Sequence, residues 1–147
     1  MELAHPTPPV PADLRPELAA LVGADGVLVR PLEMAVYECD GLTLEKAAPR
    51  LVVCPRSTEE VAAVLRVLAR RGLAFIPRGA GTGLAGGTIA LGAGVVVSTA
   101  RMKRVLQVDL ENRRIRVEAG VANLSVTRAV EAQGFCYAPD PSSQQAC

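Results

Sequence analysis

Apolar residues recur at helical spacing in some parts of the chain and in short unbroken runs in others, which predicts both helices and strands. Near the start, Leu14, Leu18 and Leu21 share one face of a helix predicted over residues 13–21. A short strand is expected at residues 26–29. No period persists over residues 31–49, so irregular chain is expected there.

The clearest pattern is a strand–helix–strand unit. Apolar runs at residues 51–53 and 73–77 predict two buried strands, and the apolar positions between them recur at helical spacing up to Gly72. Ser57 and Glu60 have the spacing of a capping box, in which the hydroxyl caps a backbone N–H and the carboxylate reaches back. Two strands joined by a helix are most simply parallel, with a right-handed crossover.

The second half of the chain predicts three more strands and one helix. The strands are expected at residues 95–97, 105–108 and 115–118, with a turn before the last of them. Asn123 is expected to cap a helix that runs to Gln133 and stops at Gly134. Together these elements predict an α+β fold class.

Composition excludes several classes of protein. The 147 residues suffice for about one domain, and a content of 50% hydrophobic residues excludes disorder through low hydrophobicity. A net charge of +1 and only 3% aromatic residues argue against nucleic acid as a partner. No apolar stretch reaches the ~18 residues of a membrane span. The Pro-rich N-terminus does not resemble a signal peptide, so a cytoplasmic location is expected.

The cysteine and histidine pattern predicts neither a metal site nor a nucleophile–base pair. The four cysteines show no CxxC spacing, and His5 is the only histidine. We therefore expect reduced thiols, no metal ligands and no catalytic residue within this chain. Any chemistry then belongs to a cofactor or to residues outside this sequence.

The segment that follows the second buried strand is the strongest candidate for ligand binding. Residues 78–87 read RGAGTGLAGG. Glycine allows positive φ and close approach of the backbone to a ligand, and successive N–H groups can then converge on phosphate oxygens. Ligands of open α/β sheets also sit beyond the ends of strands. A purely structural turn would need fewer glycines than this segment contains.

Two familiar phosphate-binding motifs do not fit the segment. Residues 81–86 match GxGxxG, but a dinucleotide-binding Rossmann motif requires a helix that begins inside the loop. The glycines of residues 86–94 would not sustain that helix, and no acidic residue stands at 99–103. A P-loop is excluded because no Gly-Lys-Ser/Thr follows.

Two motifs in this order carry a resemblance to a known family. PRGAGTGLAGG at residues 77–87, followed by YAPDPSSQQAC at residues 137–147, resembles flavin-linked oxidases of the p-cresol methylhydroxylase (PCMH) and vanillyl-alcohol oxidase type. Within that type the chain is most similar to glycolate oxidase flavin subunits and to D-lactate and D-2-hydroxyglutarate dehydrogenases. YECDGL at residues 37–42, LVVCP at 51–55 and VEAGV at 117–121 fit the same subfamily.

The resemblance implies FAD as the cofactor and a division of the chain. Residues 1–48 would be an N-terminal extension with a short helix, and residues 49–147 the first subdomain of a PCMH-type FAD-binding domain, which the family continues beyond Cys147. The loop implied to bind the pyrophosphate comprises Arg78, Gly79, Ala80, Gly81, Thr82, Gly83, Leu84 and Gly87. The second motif, implied to lie against the flavin, comprises Pro139, Asp140, Ser142 and Ser143.

Several of these side chains have more than one physical role open to them. Arg78 can pair with the pyrophosphate or support the loop, and loop support is favoured because backbone amides do most of the work in such sites. Asp140 can accept turn N–H groups or contact the flavin. Ser142 and Ser143 can donate to cofactor oxygens or cap a following helix.

The resemblance implies an FAD-linked 2-hydroxy-acid dehydrogenase or oxidase of the glycolate or D-lactate type. A small 2-hydroxy acid would be the substrate, an electron-accepting partner subunit is possible, and the catalytic base would lie outside this chain. The alternative is a phosphate- or nucleotide-binding fragment without chemistry of its own.

Overall fold

A computed structural model describes residues 9–139 and 141–146 of the chain. The α-helices are α1 (Leu14–Val22), α2 (Pro31–Met34), α3 (Thr58–Arg70) and α4 (Asn123–Val130). The strands are β1 (Val27–Leu28), β2 (Leu51–Val53), β3 (Phe75–Arg78), β4 (Val95–Ser98), β5 (Val105–Asp109) and β6 (Arg114–Val117). None of the described helices is long and apolar enough to cross a membrane.

The main sheet has four strands in the order β1-β2-β4-β3. Both β2 and β3 run parallel to β4, with Val52 and Ile76 on either side of Val96, whereas β1 is antiparallel to β2. The strand–helix–strand unit is therefore parallel, as predicted, but β4 lies between its two strands. The chain reaches β4 through residues 79–94, which begin at the carboxyl end of β3.

Both faces of this sheet are covered. On one face, Leu14 and Leu18 of α1 and Leu68 of α3 are fully buried against β2 and β4. On the other face, Val52 and Val96 pack against Ile89 and neighbouring small residues from the β3–β4 connection. Burial on both sides explains why β2 and β4 are unbroken apolar runs rather than alternating ones.

The start of α3 differs in one detail from the predicted capping box. The Ser57 hydroxyl accepts a hydrogen bond from the N–H of Glu60 at 3.2 Å, as predicted. The Glu60 carboxylate, however, accepts from the N–H of Arg56 at 2.7 Å, one residue earlier than the motif requires. At the other end of α3, the N–H of Leu73 donates to the carbonyl of Leu68 at 2.9 Å, so Leu73 belongs to the turn that closes the helix. As a result, β3 begins later than predicted and extends to Arg78.

Residues 31–49 are more ordered than the sequence predicted. Pro31 begins the four-residue helix α2, and a 3₁₀ turn over Ala35–Tyr37 follows it. Proline is suited to the first turn of a helix because its missing N–H would be unpaired there. A helix of one turn is too short to produce a hydrophobic period, which is why the pattern did not reveal it.

The last elements form a separate hairpin and a helix. β5 and β6 pair in antiparallel fashion, and Arg113 in their turn has a φ of 53°. The predicted cap of α4 is wrong: Ala122 occupies the N-cap, and the Asn123 side chain donates instead to the carbonyl of Pro139 at 2.8 Å. The helix ends at Val130 and continues as a 3₁₀ turn to Gln133 before Gly134, as a glycine stop predicts.

Candidate functional site

The glycine-rich loop is an irregular segment, as predicted, although Arg78 itself belongs to β3. No helix or strand occurs between β3 and β4, so the helix required by the Rossmann motif is absent from residues 81–86. The later part of the connection is anchored, because Ile89 and Ala90 are buried. Most of residues 79–87 are exposed at the carboxyl end of the sheet.

Arg78 is buried and ties two distant segments together. Its guanidinium donates to the carbonyl oxygens of Cys39 at 2.9 Å and Val36 at 3.1 Å, and to the hydroxyl of Thr88 at 3.1 Å. The guanidinium carbon also lies 5.4 Å from the centre of the Tyr37 ring. These acceptors are neutral backbone and hydroxyl groups, so the side chain acts as a support of the loop.

Gly81 is required by this arrangement. Its φ is +74°, and a Cβ at this position would overlap the Arg78 guanidinium. Glycine therefore serves two needs here, the left-handed backbone and the close approach of the arginine. The loop keeps Gly81 for structural reasons that do not involve a ligand.

The YECDGL motif forms the wall behind the loop. A Cβ on Gly41 would lie 2.7 Å from the carbonyl oxygen of Gly83 and 3.0 Å from that of Thr82, so the two segments are in direct contact. Asp40 is only 6% exposed, and its Oδ1 accepts from the N–H of Leu42 at 2.8 Å. Its Oδ2 is buried and has no partner within the described residues. The sequence pointed to this motif as part of the resemblance but not to its contact with the loop.

Gly79, Gly83 and Gly87 differ from Gly81 because no protein atom requires them to be glycine. A Cβ at each would meet no atom of the described residues within 4 Å, and none has a positive φ. Neither strain nor packing accounts for the missing side chains. The space that a Cβ would fill is open, which is the arrangement expected where a ligand approaches the backbone closely.

The backbone of the same residues offers unused donors. Among the described residues, no backbone carbonyl accepts a hydrogen bond from an N–H of residues 79–87. Backbone N–H groups that have no acceptor in the protein can bind the oxygens of a phosphate or diphosphate. The cradle and its donors therefore fit a phosphate-bearing ligand such as a dinucleotide.

A cleft of about 220 Å³ lies beside the beginning of the loop. It is formed where the loop, the β4–β5 connection, the turn after β6 and the end of the second motif meet. Its lining residues are Gly79, Ala80, Ala100, Lys103, Ala119, Gly120, Val121 and Ala146. The sequence did not assign Lys103, Gly120 or Val121 to the site, although the VEAGV motif was a signal for the latter two.

An ion pair between the buried Glu118 and the exposed Arg104 lies next to this cleft. The Glu118 carboxylate accepts from the backbone N–H of Arg104 at 2.8 Å and from its guanidinium at 2.7 and 2.9 Å. These hydrogen bonds lower the pKa of Glu118. The N–H of Gly120 donates to Met102 at 2.9 Å, and a Cβ on Gly120 would overlap the Thr99 carbonyl. The two turns are thus fixed against each other.

The second motif is attached to the start of α4. Asn123 contacts the carbonyl of Pro139, and the N–H of Leu124 donates to the carbonyl of Gln144 at 2.9 Å. Ala146 reaches the cleft, whereas Pro139, Ser142 and Ser143 are not among its lining residues. Asp140 lies outside the described residues. Contact of a flavin with the second motif (Pro139, Asp140, Ser142 and Ser143) stays a prediction.

The cysteines do not gather in the described part of the chain. Cys39, Cys54 and Cys136 are free thiols there, and burial raises the pKa of Cys54. No group of three or more His, Cys, Asp or Glu side chains within residues 9–139 and 141–146 could hold a metal ion. Cys147 and His5 lie outside the described residues.

Comparison with known proteins gives a family and a set of longer relatives. The model of a family described as "FAD binding domain" matches residues 49–147. Glycolate oxidase subunit GlcD of Escherichia coli K12 is 47% identical over 115 residues, which cover 78% of this chain and 23% of that protein. D-lactate dehydrogenase of Anaerostipes hadrus is 38% identical over 112 residues, or 76% of this chain and 22% of that protein.

A solved structure shows the same fold. The structure of p-cresol methylhydroxylase with substrate bound matches 83% of this chain and 24% of its own with a TM-score of 0.72, at 19% identity. The PCMH-type fold predicted from the sequence is thereby confirmed. The chain spans about a quarter of the length of the relatives it matches.

Proposed function

Because the chain belongs to the FAD-binding-domain family, we propose that it is the FAD-binding part of a flavin-dependent 2-hydroxy-acid dehydrogenase or oxidase. FAD is the cofactor of this family. The glycolate or D-lactate type of substrate is proposed because relatives that share 47% and 38% identity with the chain bear those names. Residues 49–147 are proposed as the FAD-binding region. Residues 1–48 are proposed as an extension that adds β1 to the sheet and packs α1 against one face of it.

The observation that carries the proposal is the open side of the loop. Gly79, Gly83 and Gly87 leave space that no protein atom fills, next to backbone N–H groups without backbone acceptors among the described residues. We assign the diphosphate of FAD to the backbone of residues 79–84 and 87, with Arg78 as the support of that backbone. Pro139, Asp140, Ser142 and Ser143 are proposed to lie along the flavin.

The contribution of this chain is to bind and orient the cofactor. When bound, FAD supplies the redox chemistry by accepting a hydride from the α-carbon of the 2-hydroxy acid. No catalytic residue of this chain is proposed. An electron-accepting partner subunit and a cytoplasmic location stay predictions.

Amide chemical shifts test the assignment residue by residue. In a ¹H–¹⁵N titration of the purified chain, FAD should shift the amides of residues 79–87 and also those of residues 140 and 142–146. ADP, which lacks the flavin, should shift the first set and leave the second in place. If FAD and ADP produce the same shifts at the same concentrations, the chain is a nucleotide-binding fragment. If FAD shifts neither set, the proposed site is wrong.

A further inference from the structure

We propose that Lys103 supplies the positive charge that pairs with the diphosphate held by the glycine-rich loop. This inference rests on the proposed function and deepens it, because it adds a residue that neither the loop motif nor the second motif contains. The ligand class is a diphosphate ester, of which FAD and inorganic pyrophosphate are both examples. Lys103 is a binding residue in this proposal and takes no part in the hydride transfer.

The first observation is the position of Lys103 in the cleft. It lines the same cleft as Gly79 and Ala80, which begin the loop. Every other lining residue is glycine, alanine or valine, so Lys103 is the one charged side chain of this cleft in the described part of the chain. Within residues 9–139 and 141–146, no carboxylate lines the cleft to oppose an anionic ligand.

The second observation is that its neighbours are already engaged. Arg101 pairs with Asp25 at 2.8 Å, and Arg104 pairs with Glu118 at 2.7 Å. Lys103 forms no ion pair with a residue of the described ranges and is exposed. Of the cations at positions 101, 103 and 104, it alone is free to turn toward a ligand.

The third observation concerns the backbone on either side of Lys103. Met102 is buried, and its N–H donates to the carbonyl of Thr99 at 2.9 Å. On the other side, the carbonyl of Arg104 accepts from the N–H of Glu118 at 3.0 Å. The base of the lysine is therefore fixed at the rim of the cleft, while its four-carbon stem lets the ammonium group move.

The charge that Lys103 supplies is one that the loop lacks. The obvious cation, Arg78, is 7% exposed and donates to three neutral acceptors. Amide dipoles would then face the negative diphosphate without a counter-charge from the loop itself. A lysine ammonium is a compact point charge that commonly binds phosphate groups in proteins. An exposed pair of this kind weakens as salt is added.

The experiment compares Lys103→Met with Lys103→Arg, using Arg66→Met on the exposed surface of α3 as the matched control. Dissociation constants for inorganic pyrophosphate and for FAD are measured from the amide shifts of residues 79–87 at low and at high salt. Lys103→Met should weaken both ligands by about fivefold at low salt, and the difference should shrink at high salt. Lys103→Arg should retain the affinity, and Arg66→Met should match the original chain.

The outcomes separate this inference from the proposed function. If FAD shifts the loop amides equally in the original chain and in Lys103→Met, Lys103 does not pair with the diphosphate, although the loop still binds FAD. A loss of affinity that salt does not reduce would also overturn the role in charge pairing. If FAD leaves the loop amides of the original chain unshifted, the proposed function and this inference fall together.

Discussion

The guanidinium of Arg78 donates a hydrogen bond to the carbonyl oxygen of Cys39, 39 residues earlier in the chain, at 2.9 Å. This bond connects the YECDGL motif to the start of the glycine-rich loop. The motif thus supplies one of the three acceptors that hold the arginine, and the arginine in turn holds the loop.

Replacement of Arg78 should therefore cost stability. Arg78→Met removes the donors to Val36, Cys39 and Thr88 and leaves these partly buried hydrogen bonds unmade. We expect the free energy of unfolding to fall by about 2–4 kcal/mol in urea denaturation. Arg78→Lys should recover only part of this loss, because an ammonium cannot reproduce the planar fork. A value within about 0.5 kcal/mol of the original chain, as expected for the exposed control Arg66→Met, would contradict the supporting role.

Alanine at two glycines of the same loop should have unequal effects on stability. Gly81→Ala forces a Cβ into the Arg78 guanidinium at a φ of +74°, whereas a Cβ at Gly83 meets no described residue within 4 Å. We expect Gly81→Ala to lower the free energy of unfolding by about 2 kcal/mol or more, and Gly83→Ala to change it by less than about 0.5 kcal/mol. Thermal unfolding followed by circular dichroism measures both. Equal effects of the two substitutions would refute the distinction between structural and open glycines.

Glu118 should make stability depend on pH in the acid range. Hydrogen bonds from Arg104 lower the pKa of Glu118, so its charged form favours the folded state. The contribution is complete above the ordinary glutamate pKa of about 4.3 and is lost as the pH falls through the lower pKa of the folded state. Glu118→Gln should therefore lower the free energy of unfolding at neutral pH. In acid, the difference in this free energy between Glu118→Gln and the original chain should become smaller.

The matched control for this titration is Glu111→Gln, which alters an exposed carboxylate in the β5–β6 turn. Urea midpoints measured across the acid range would show the effect. A Glu118→Gln curve parallel to that of the original chain at all pH values would show that the Arg104 pair does not contribute.

FAD should bind this 147-residue chain weakly. The loop offers a handful of hydrogen bonds, each worth about 1 kcal/mol net in a water-exposed site. They must offset an association cost of at least about 4 kcal/mol. We expect a dissociation constant between about the high-micromolar and the millimolar range by calorimetry. A constant below about 1 μM would mean that the chain contains more of the binding site than the loop and the second motif.

Local patterns were sufficient to predict much of the fold. The strand–helix–strand unit and the β5–β6 hairpin depend on apolar spacing and turn residues that lie next to one another in sequence. The insertion of β4 between β2 and β3 could not be predicted in this way, because strand order depends on contacts between distant segments. The same holds for α2, whose single turn is too short to show a period.

The part of the candidate site that is formed by backbone groups, the glycine-rich loop, could be predicted from the sequence. Glycine density indicated the loop, and the structure divides its five glycines into two groups. Gly81 and Gly86 have a positive φ, and Arg78 also requires Gly81, whereas Gly79, Gly83 and Gly87 face open space among the described residues. The acceptors of Arg78 and the placement of Lys103 could not be read from the sequence. Both depend on segments that meet only in the folded chain. Arg78 meets residues 36–39, and Lys103 meets the turn after β6.

The most direct test of the account is FAD binding by Gly79→Ala, Gly83→Ala and Gly87→Ala. A Cβ at each position meets no atom within 4 Å in the part of the chain that the structure describes, so these variants should fold like the original chain. The same Cβ would occupy the space assigned to the diphosphate, so the dissociation constant for FAD should rise by about tenfold or more. If all three variants keep their stability and bind FAD as tightly as the original chain, the loop is not the diphosphate site.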